Sequence, residues 1–188
     1  MKQILLTSLM LFFLISCGGV KKTQEALNMG NYGNAINTAL KNIAENKTKK
    51  SNQPYIQMLE EAYKKNTERE LQQMAFLKKD NNPANHEIIY NGYQNLKSIQ
   101  ERIKPLLPLK LYDENRDARF AFKNYDEEII KSKRELSDYL YNNATALLNT
   151  GLYKEDFRKA FDQFTYLNEI NPNYKDTALK LDEAHNKG

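Results

Sequence analysis

The sequence predicts an all-α fold, and three observations carry that prediction. Apolar residues recur at spacings of three and four, as in Ala35, Ile36, Ala39, Leu40 and Ile43, which puts them on one face of a helix. Strand formers in strict alternation are scarce. The breaks between periodic stretches carry helix-end chemistry, as in Gly30-Asn31-Tyr32-Gly33, Ser51-Asn52-Gln53-Pro54, Asp80-Asn81-Asn82-Pro83 and Gly151. Lysine and arginine total 28 against 24 acidic residues, a net charge of +4, an excess too small for a nucleic-acid binder, so no nucleic acid is expected as a partner.

The chain opens on Met1-Lys2-Gln3, an apolar run from Ile4 to Ile15, and Ser16-Cys17-Gly18-Gly19. One positive charge before about a dozen mostly apolar residues, too few to span a bilayer, reads as a secretory signal. Leu14-Ile15-Ser16-Cys17 resembles the lipobox of Gram-negative lipoproteins. The resemblance implies that residues 1–16 are a signal peptide that is removed and that Cys17 is acylated. The lipid bilayer is then a partner through Cys17, with the three acyl chains of such proteins holding essentially irreversibly. Cys17 is the only cysteine, so no disulfide framework is available. Residues 17–22 are expected to form a lipidated, flexible lead, and 23–188 a single α-helical repeat domain. By the same resemblance, Gly18 rather than an aspartate after the cysteine favours the outer membrane, and the lack of acidic residues in Gly18-Gly19-Val20-Lys21-Lys22 favours its periplasmic face.

Taken in order, Thr23 to Asn46 reads as a short helix, a glycine turn and a second helix whose face is Ala35, Ile36, Ala39, Leu40 and Ile43. The pattern Gly30-x-Tyr32-x-x-Ala35-x-x-x-Ala39 resembles the turn and second helix of a tetratricopeptide repeat. After the basic loop Lys47-Thr48-Lys49-Lys50, a long helix follows Pro54 to about Lys79, with Ile56, Leu59, Tyr63, Glu70 or Leu71, Met74 and Leu77 on its stripe, weakened at Asn66 and Thr67. Pro83 reverses the chain, Asn85 is expected to cap the next helix, and Ile89, Tyr93, Leu96, Ile99 and Ile103 form its buried side before Pro105 ends it. These two helices are expected to form an antiparallel hairpin longer than a standard repeat.

Residues 105–125 are the least regular stretch. Leu106-Leu107-Pro108-Leu109-Lys110-Leu111-Tyr112 is apolar and proline-broken, so it is expected to lie across the helices and cover their seam, with a partner-binding loop as the alternative. Asp126-Glu127-Glu128 then starts a helix with acidic residues in its first turn, as the helix dipole favours, running to about Asn149 with Ile129, Ile130, Leu136, Leu140, Ala144 and Leu147 on one side. Residues 134–186 resemble tetratricopeptide repeats a second time. Leu140, Ala144 and Leu147 match a first helix, Gly151 the turn, and Phe157, Ala160, Phe164, Leu167 and Pro172 a second helix, with Leu152 to Lys154 inserted. A last helix, Thr177 to Asn186, with Tyr174, Ala178, Leu181 and Ala184 or His185 on one side, reads either as a terminal cap or as the start of a repeat that a longer family member would complete.

Catalysis finds little support in these residues. His86 and His185 lack any second histidine at metal-ligand spacing, so no metal and no cofactor are expected. Asp182-Glu183-Ala184-His185 spells a helicase box without a phosphate loop, and Gly18-Gly19-Val20-Lys21-Lys22-Thr23 lacks phosphate-loop spacing. No G-x-S-x-G elbow surrounds Ser51, Ser98, Ser132 or Ser137. Glu60-Glu61 and Glu127-Glu128 diverge around a helix and read as solvated charges. The expectation is a protein that is not an enzyme.

The repeat resemblance implies protein binding, and with the lipobox it implies an interaction or scaffold lipoprotein supporting an envelope or secretion assembly, other envelope proteins being its partners. Candidate contacts are Tyr90, Tyr112, Arg119, Tyr139 and Tyr141, residue types that favour interfaces. A wall- or glycan-binding lipoprotein using Lys47, Lys49, Lys50, Lys64 and Lys65, and a purely structural spacer, are the alternatives. Asp176-Thr177-Ala178 resembles a Gram-negative O-glycosylation signal, which makes Thr177 a candidate acceptor, although Asp and Thr also suit a helix's first turn.

Overall fold

The structure is a computed structural model that describes residues 14–188, with side chains from Gly18 onward. The signal peptide read over 1–16 and the acylated side chain read at Cys17 lie outside the residues described at that level. Among the described residues the fold is all-α, as the periodicity predicts: α1 Leu14–Asn28, α2 Tyr32–Glu45, α3 Gln53–Asp80, α4 His86–Ile103, α5 Asp126–Thr150, α6 Lys154–Ile170 and α7 Thr177–Lys187. Its β-structure among those residues is one two-residue antiparallel pair, β1 Lys110–Leu111 with β2 Arg116–Asp117. No described helix is long and apolar enough to cross a membrane.

The stretch 23–188, read from sequence as one domain, divides into two compact units. Of the described residues, the first comprises 14–72 and Ser98–Lys123, and the second Gln73–Lys97 and Asn124–Gly188. Helices α3 and α4 therefore each give one end to each unit.

In the first unit, α1 and α2 make a hairpin whose turn is dictated by Gly30. Its φ of +74° is open to glycine at little cost, and it ends α1 with paired bonds, Gly30 N to Leu27 O and Asn31 N to Ala26 O. The Asn31 side chain then accepts from Asn34 N and caps α2. The five apolar residues predicted for α2 are all buried. They meet Ile56, Leu59 and Ala62 of α3, and Ile99 and Ile103 of α4, in one core. Arg69 pins the hairpin turn to α3, donating to the Gly30 carbonyl at 2.6 Å with its guanidinium 4.7 Å from the centre of the Tyr32 ring. Buried Asn52 donates to the carbonyls of Asn42 and Asn46, tying the end of α2 to the start of α3.

The flexible lead expected over 17–22 is instead part of α1. Val20 packs on the core, Thr23 is buried with its hydroxyl donating to Gly19 O, and a Cβ on Gly19 would come within 2.5 Å of the Tyr55 hydroxyl. Two glycines suggested looseness, but the small size of Gly19 permits close approach to Tyr55 of α3, while a Cβ on Gly18 would meet open space.

In the second unit, the end of α3 and the start of α4 lie side by side, with Met74 against Gly92 and Lys78 Nζ donating to the Tyr93 hydroxyl at 2.9 Å. Asn82, rather than Asn85, supplies the cap, accepting from Ala84 N, while the Asn85 side chain donates to Leu77 O. Helices α5, α6 and α7 pack in sequence around Leu140, Ala144, Leu148, Ala160, Phe164 and Ala184. On α5, Leu136, Leu140 and Ala144 of the predicted face are buried and Ile129 and Leu147 pack against the core, while Ile130 is exposed. Leu148, Ser132 and Ser137 are buried as well, the serines with their hydroxyls donating four residues back to Glu128 O and Lys133 O. Gly151 follows α5 at a φ of −61°, open to any residue, so the need for glycine there comes from crowding: an added Cβ would sit 2.5 Å from Leu147 O. Of the side expected for α7, Tyr174, Leu181 and Ala184 pack in the core, while Ala178 is exposed and Thr177 is buried.

Phe164 has no exposed surface and stands at the centre of the second core. Phe164→Ala is expected to cost about 3–5 kcal/mol, read as a lower urea midpoint by far-ultraviolet circular dichroism.

Candidate functional site

The site that stands out lies wholly in the first unit, where residues 105–123 are folded against α3. Leu109 and Leu111 are buried in the core, and Ala118 N donates to Leu109 O at 2.8 Å. Between them the chain pairs Lys110 with Asp117 and Leu111 with Arg116, and Asn115 supplies the left-handed residue of the turn with φ +46°. This short hairpin aims Arg116 at α3. Its guanidinium donates to both oxygens of Glu60, at 2.7 and 2.8 Å, and through Nε to Glu114 at 2.6 Å. Glu60 also accepts the backbone N–H of Arg119 at 2.6 Å. A two-pronged guanidinium–carboxylate pair of this kind fixes orientation as well as charge.

Electrostatics follow the geometry. The Arg116 hydrogen bond holds the Glu60 carboxyl below its ordinary range, against the opposing pull of burial, and Arg116 is correspondingly raised. Glu60, read from sequence as a solvated surface charge, is in fact the anchor of the segment. Glu61 meets that expectation, pairing with Lys65 one helical turn on, a contact of small energetic weight.

Below the ion pair, Tyr63 donates to Ala121 O and meets Phe120 and Phe122 edge-on at 5.5 and 5.8 Å. Lys123 N donates to the side chain of buried Gln100 at 2.9 Å. The segment expected to cover the helix seam is therefore packed and bonded along its length. Between it and α3 opens a cleft of about 760 Å³. Tyr63, Leu71 and Ala121 give it apolar surface, and Glu61, Lys64, Glu68, Arg119 and Lys123 line it with charge. Among the described residues no carboxylate lies within ion-pair distance of the Lys64, Arg119 or Lys123 head groups.

The residues proposed from sequence are dispersed. Arg119 lines this cleft, and Tyr112, half exposed, lines a neighbouring one of about 470 Å³ with its N–H donating to Gln53. Tyr90 is buried in the second core, its hydroxyl accepting from Gln94, and so is not available for contact. Tyr139 is half-buried, its ring 6.2 Å from that of His86. Tyr141 is half-buried against Phe164 and Tyr174 and donates to Asp176, which holds that carboxyl low and makes Tyr141 a brace for the start of α7. Tyr174 does the same for Asp138. Thr177 is only 1 % exposed, and its hydroxyl donates to Tyr174 O. It is therefore withdrawn as a glycosylation acceptor, because the oxygen that would carry a sugar is inside the fold.

The residues that sequence reasoning missed are Glu60, Arg116, Tyr63 and Lys123. Fifty-six residues separate Glu60 from Arg116, and no local spacing marks such a pair. In the second unit, His86 Nδ1 lies 3.9 Å from Glu135 Oε2 beside a shallow cleft of about 600 Å³ that includes Asp138 and Tyr139. Among the described residues, no group of three or more histidine, cysteine, aspartate or glutamate side chains is arranged to hold a metal ion.

No protein family matches the chain, nor does any curated protein or solved structure. The lipoprotein and tetratricopeptide resemblances stand on the residues quoted above.

Glu60→Gln is expected to destabilise the protein by about 1–3 kcal/mol at neutral pH, the range for hydrogen bonds to charged groups. A lowered folded-state pKa means that this contribution is fully present above the ordinary glutamate value of 4.5 and is lost as pH falls through the folded value. Urea titrations of wild type and variant should therefore converge below about pH 4.5 and remain separated above it.

Proposed function

We propose that the protein is a membrane-anchored, non-catalytic interaction lipoprotein that supports an envelope or secretion assembly, and that the cleft of the first unit receives its partner. The observation that carries this reading is the cleft itself. Lys64, Arg119 and Lys123 line it beside Tyr63, Leu71 and Ala121, with Glu61 and Glu68 as the acids not engaged by Arg116, and of the three cations only Arg119 has its charge opposed by Glu60. The wall bearing two of them is fixed in advance by Glu60, which lowers the ordering cost of binding. An acidic peptide segment with an apolar anchor side chain complements such a surface. Attachment through Cys17, at the outer membrane and facing the periplasm, follows from the lipobox resemblance, and the protein-binding role is in keeping with the tetratricopeptide resemblance of 23–46 and 134–186.

The wall-binding alternative loses two of its five lysines to bonds within the chain. Lys47 donates to Leu106 O at 3.0 Å and Lys65 pairs with Glu61.

The test is a photocrosslinking residue placed in cells at Lys64, with Lys159 of the second unit as the control position. Discrete envelope-protein adducts are expected from position 64 alone, lost when Arg119 and Lys123 are both changed to glutamate. The same adducts from both positions would refute the cleft as the partner surface.

A further inference from the structure

The start of α1 brings the lipid attachment point to one particular end of the first unit. Gly19, two residues and about 3 Å of helix beyond Cys17, packs against Tyr55 in the first turn of α3. Asn52 binds the carbonyls of Asn42 and Asn46, so the loop from Asn46 to Asn52 sits at this same end. Lys47 Nζ reaches the Leu106 carbonyl, and Tyr112 N reaches Gln53, which bring residues 104–112 there too. Three separated stretches of sequence thus converge beside the beginning of α1.

Basic side chains outnumber the unengaged acids here. Lys49, Lys50, Lys104 and Lys110 are exposed, beside exposed Pro105, Pro108 and Tyr112. The opposing acids are Glu45, Asp113, Glu114 and Asp117, of which Glu114 is engaged by Arg116 and Asp117 stands opposite Lys110 in the β1–β2 pair. Lysines interleaved with proline and tyrosine suit the boundary where phosphate head groups meet acyl chains, since lysine pairs with phosphate and tyrosine lies at the interface.

We propose that this end of the first unit docks on the phosphate-bearing surface of the bilayer that holds Cys17, with Lys49, Lys50 and Lys110 as its principal phosphate contacts. The inference rests on the reading of Cys17 as acylated. With α1 helical through Cys17 and Gly19 packed on Tyr55, helix rather than a slack lead joins the attachment point to this end of the first unit, and screening over roughly 8–10 Å at physiological ionic strength means the lysines act only where this end lies against the head groups. The lipid supplies residence on the membrane, and the lysines fix which end of the first unit faces it.

The experiment uses the full chain made in a Gram-negative host and extracted in detergent. Intact mass reads acylation of Cys17 directly, so failure of the anchor reading is seen before the surface is tested. The protein is then reconstituted into vesicles of phosphatidylcholine alone or with one-third phosphatidylglycerol, and lysine acetylation is followed residue by residue. Labelling of Lys49, Lys50 and Lys110 is expected to fall about fivefold or more on the anionic vesicles, the factor for one lysine near such a surface, and to recover in high salt. Lys154 and Lys159 of the second unit are expected not to change. Lys49→Gln with Lys50→Gln, at exposed positions, should restore labelling of Lys110. Equal labelling of the three lysines on both kinds of vesicle, in protein whose acylation the mass has established, would overturn the proposal.

Discussion

The Glu60 carboxylate is the constraint on which the first unit's surface depends. One side chain in the second turn of α3 accepts from both ends of the Arg116 guanidinium and from the Arg119 N–H, and so holds a segment more than fifty residues away in sequence. Loop closure over such a distance is costly in conformational entropy. It is offset by burying Leu109 and Leu111 and by the Tyr63–Phe120–Phe122 cluster, while the ion pair sets the direction. Apolar burial without Glu60 would still draw the segment onto α3. It would not specify where the cations Arg119 and Lys123 stand.

Most of the helical framework was legible in the sequence because it is local. The α2 face was readable from spacing, and Gly30 announced its own turn, since a glycine between two amphipathic stretches marks the point where one helix stops and the chain reverses. Pro83 and Pro105 marked ends that the structure has close by. Where local rules competed, they misled. Ser132 and Ser137 look like surface residues by type, yet each satisfies its hydroxyl on its own helix and is thereby free to be buried. The buried face of α5 is therefore wider than its apolar residues alone suggest, and it leaves Ile130 outside. The Gly18-Gly19 pair suggested a loose lead, and only the position of Tyr55 reveals why a small residue suits position 19.

The candidate site was barely legible, for a physical reason. A cleft whose walls come from α3 and from a hairpin starting some fifty residues later has no periodicity and no motif. Arg119 was singled out as an interface-prone residue type and does line the cleft; Tyr90 was chosen on the same grounds and is core. Residue type states what a side chain is able to do, whereas burial decides whether it is available. Thr177 makes the same point, because its first-turn chemistry, visible in the sequence, is the use the fold makes of it. The division into two units was also hidden, since α3 and α4 run without interruption from one to the other.

Amide hydrogen exchange at neutral pH shows whether residues 105–123 form a fixed wall. A fixed wall requires that the N–H groups of Ala118, Arg119 and Lys123, bonded to Leu109 O, Glu60 and Gln100, exchange about a hundredfold or more slower than an unstructured chain, as expected for bonds broken only by local unfolding. Exchange of all three at the unstructured rate would mean that the segment is a free loop, and the cleft built on it would not exist as a preformed site.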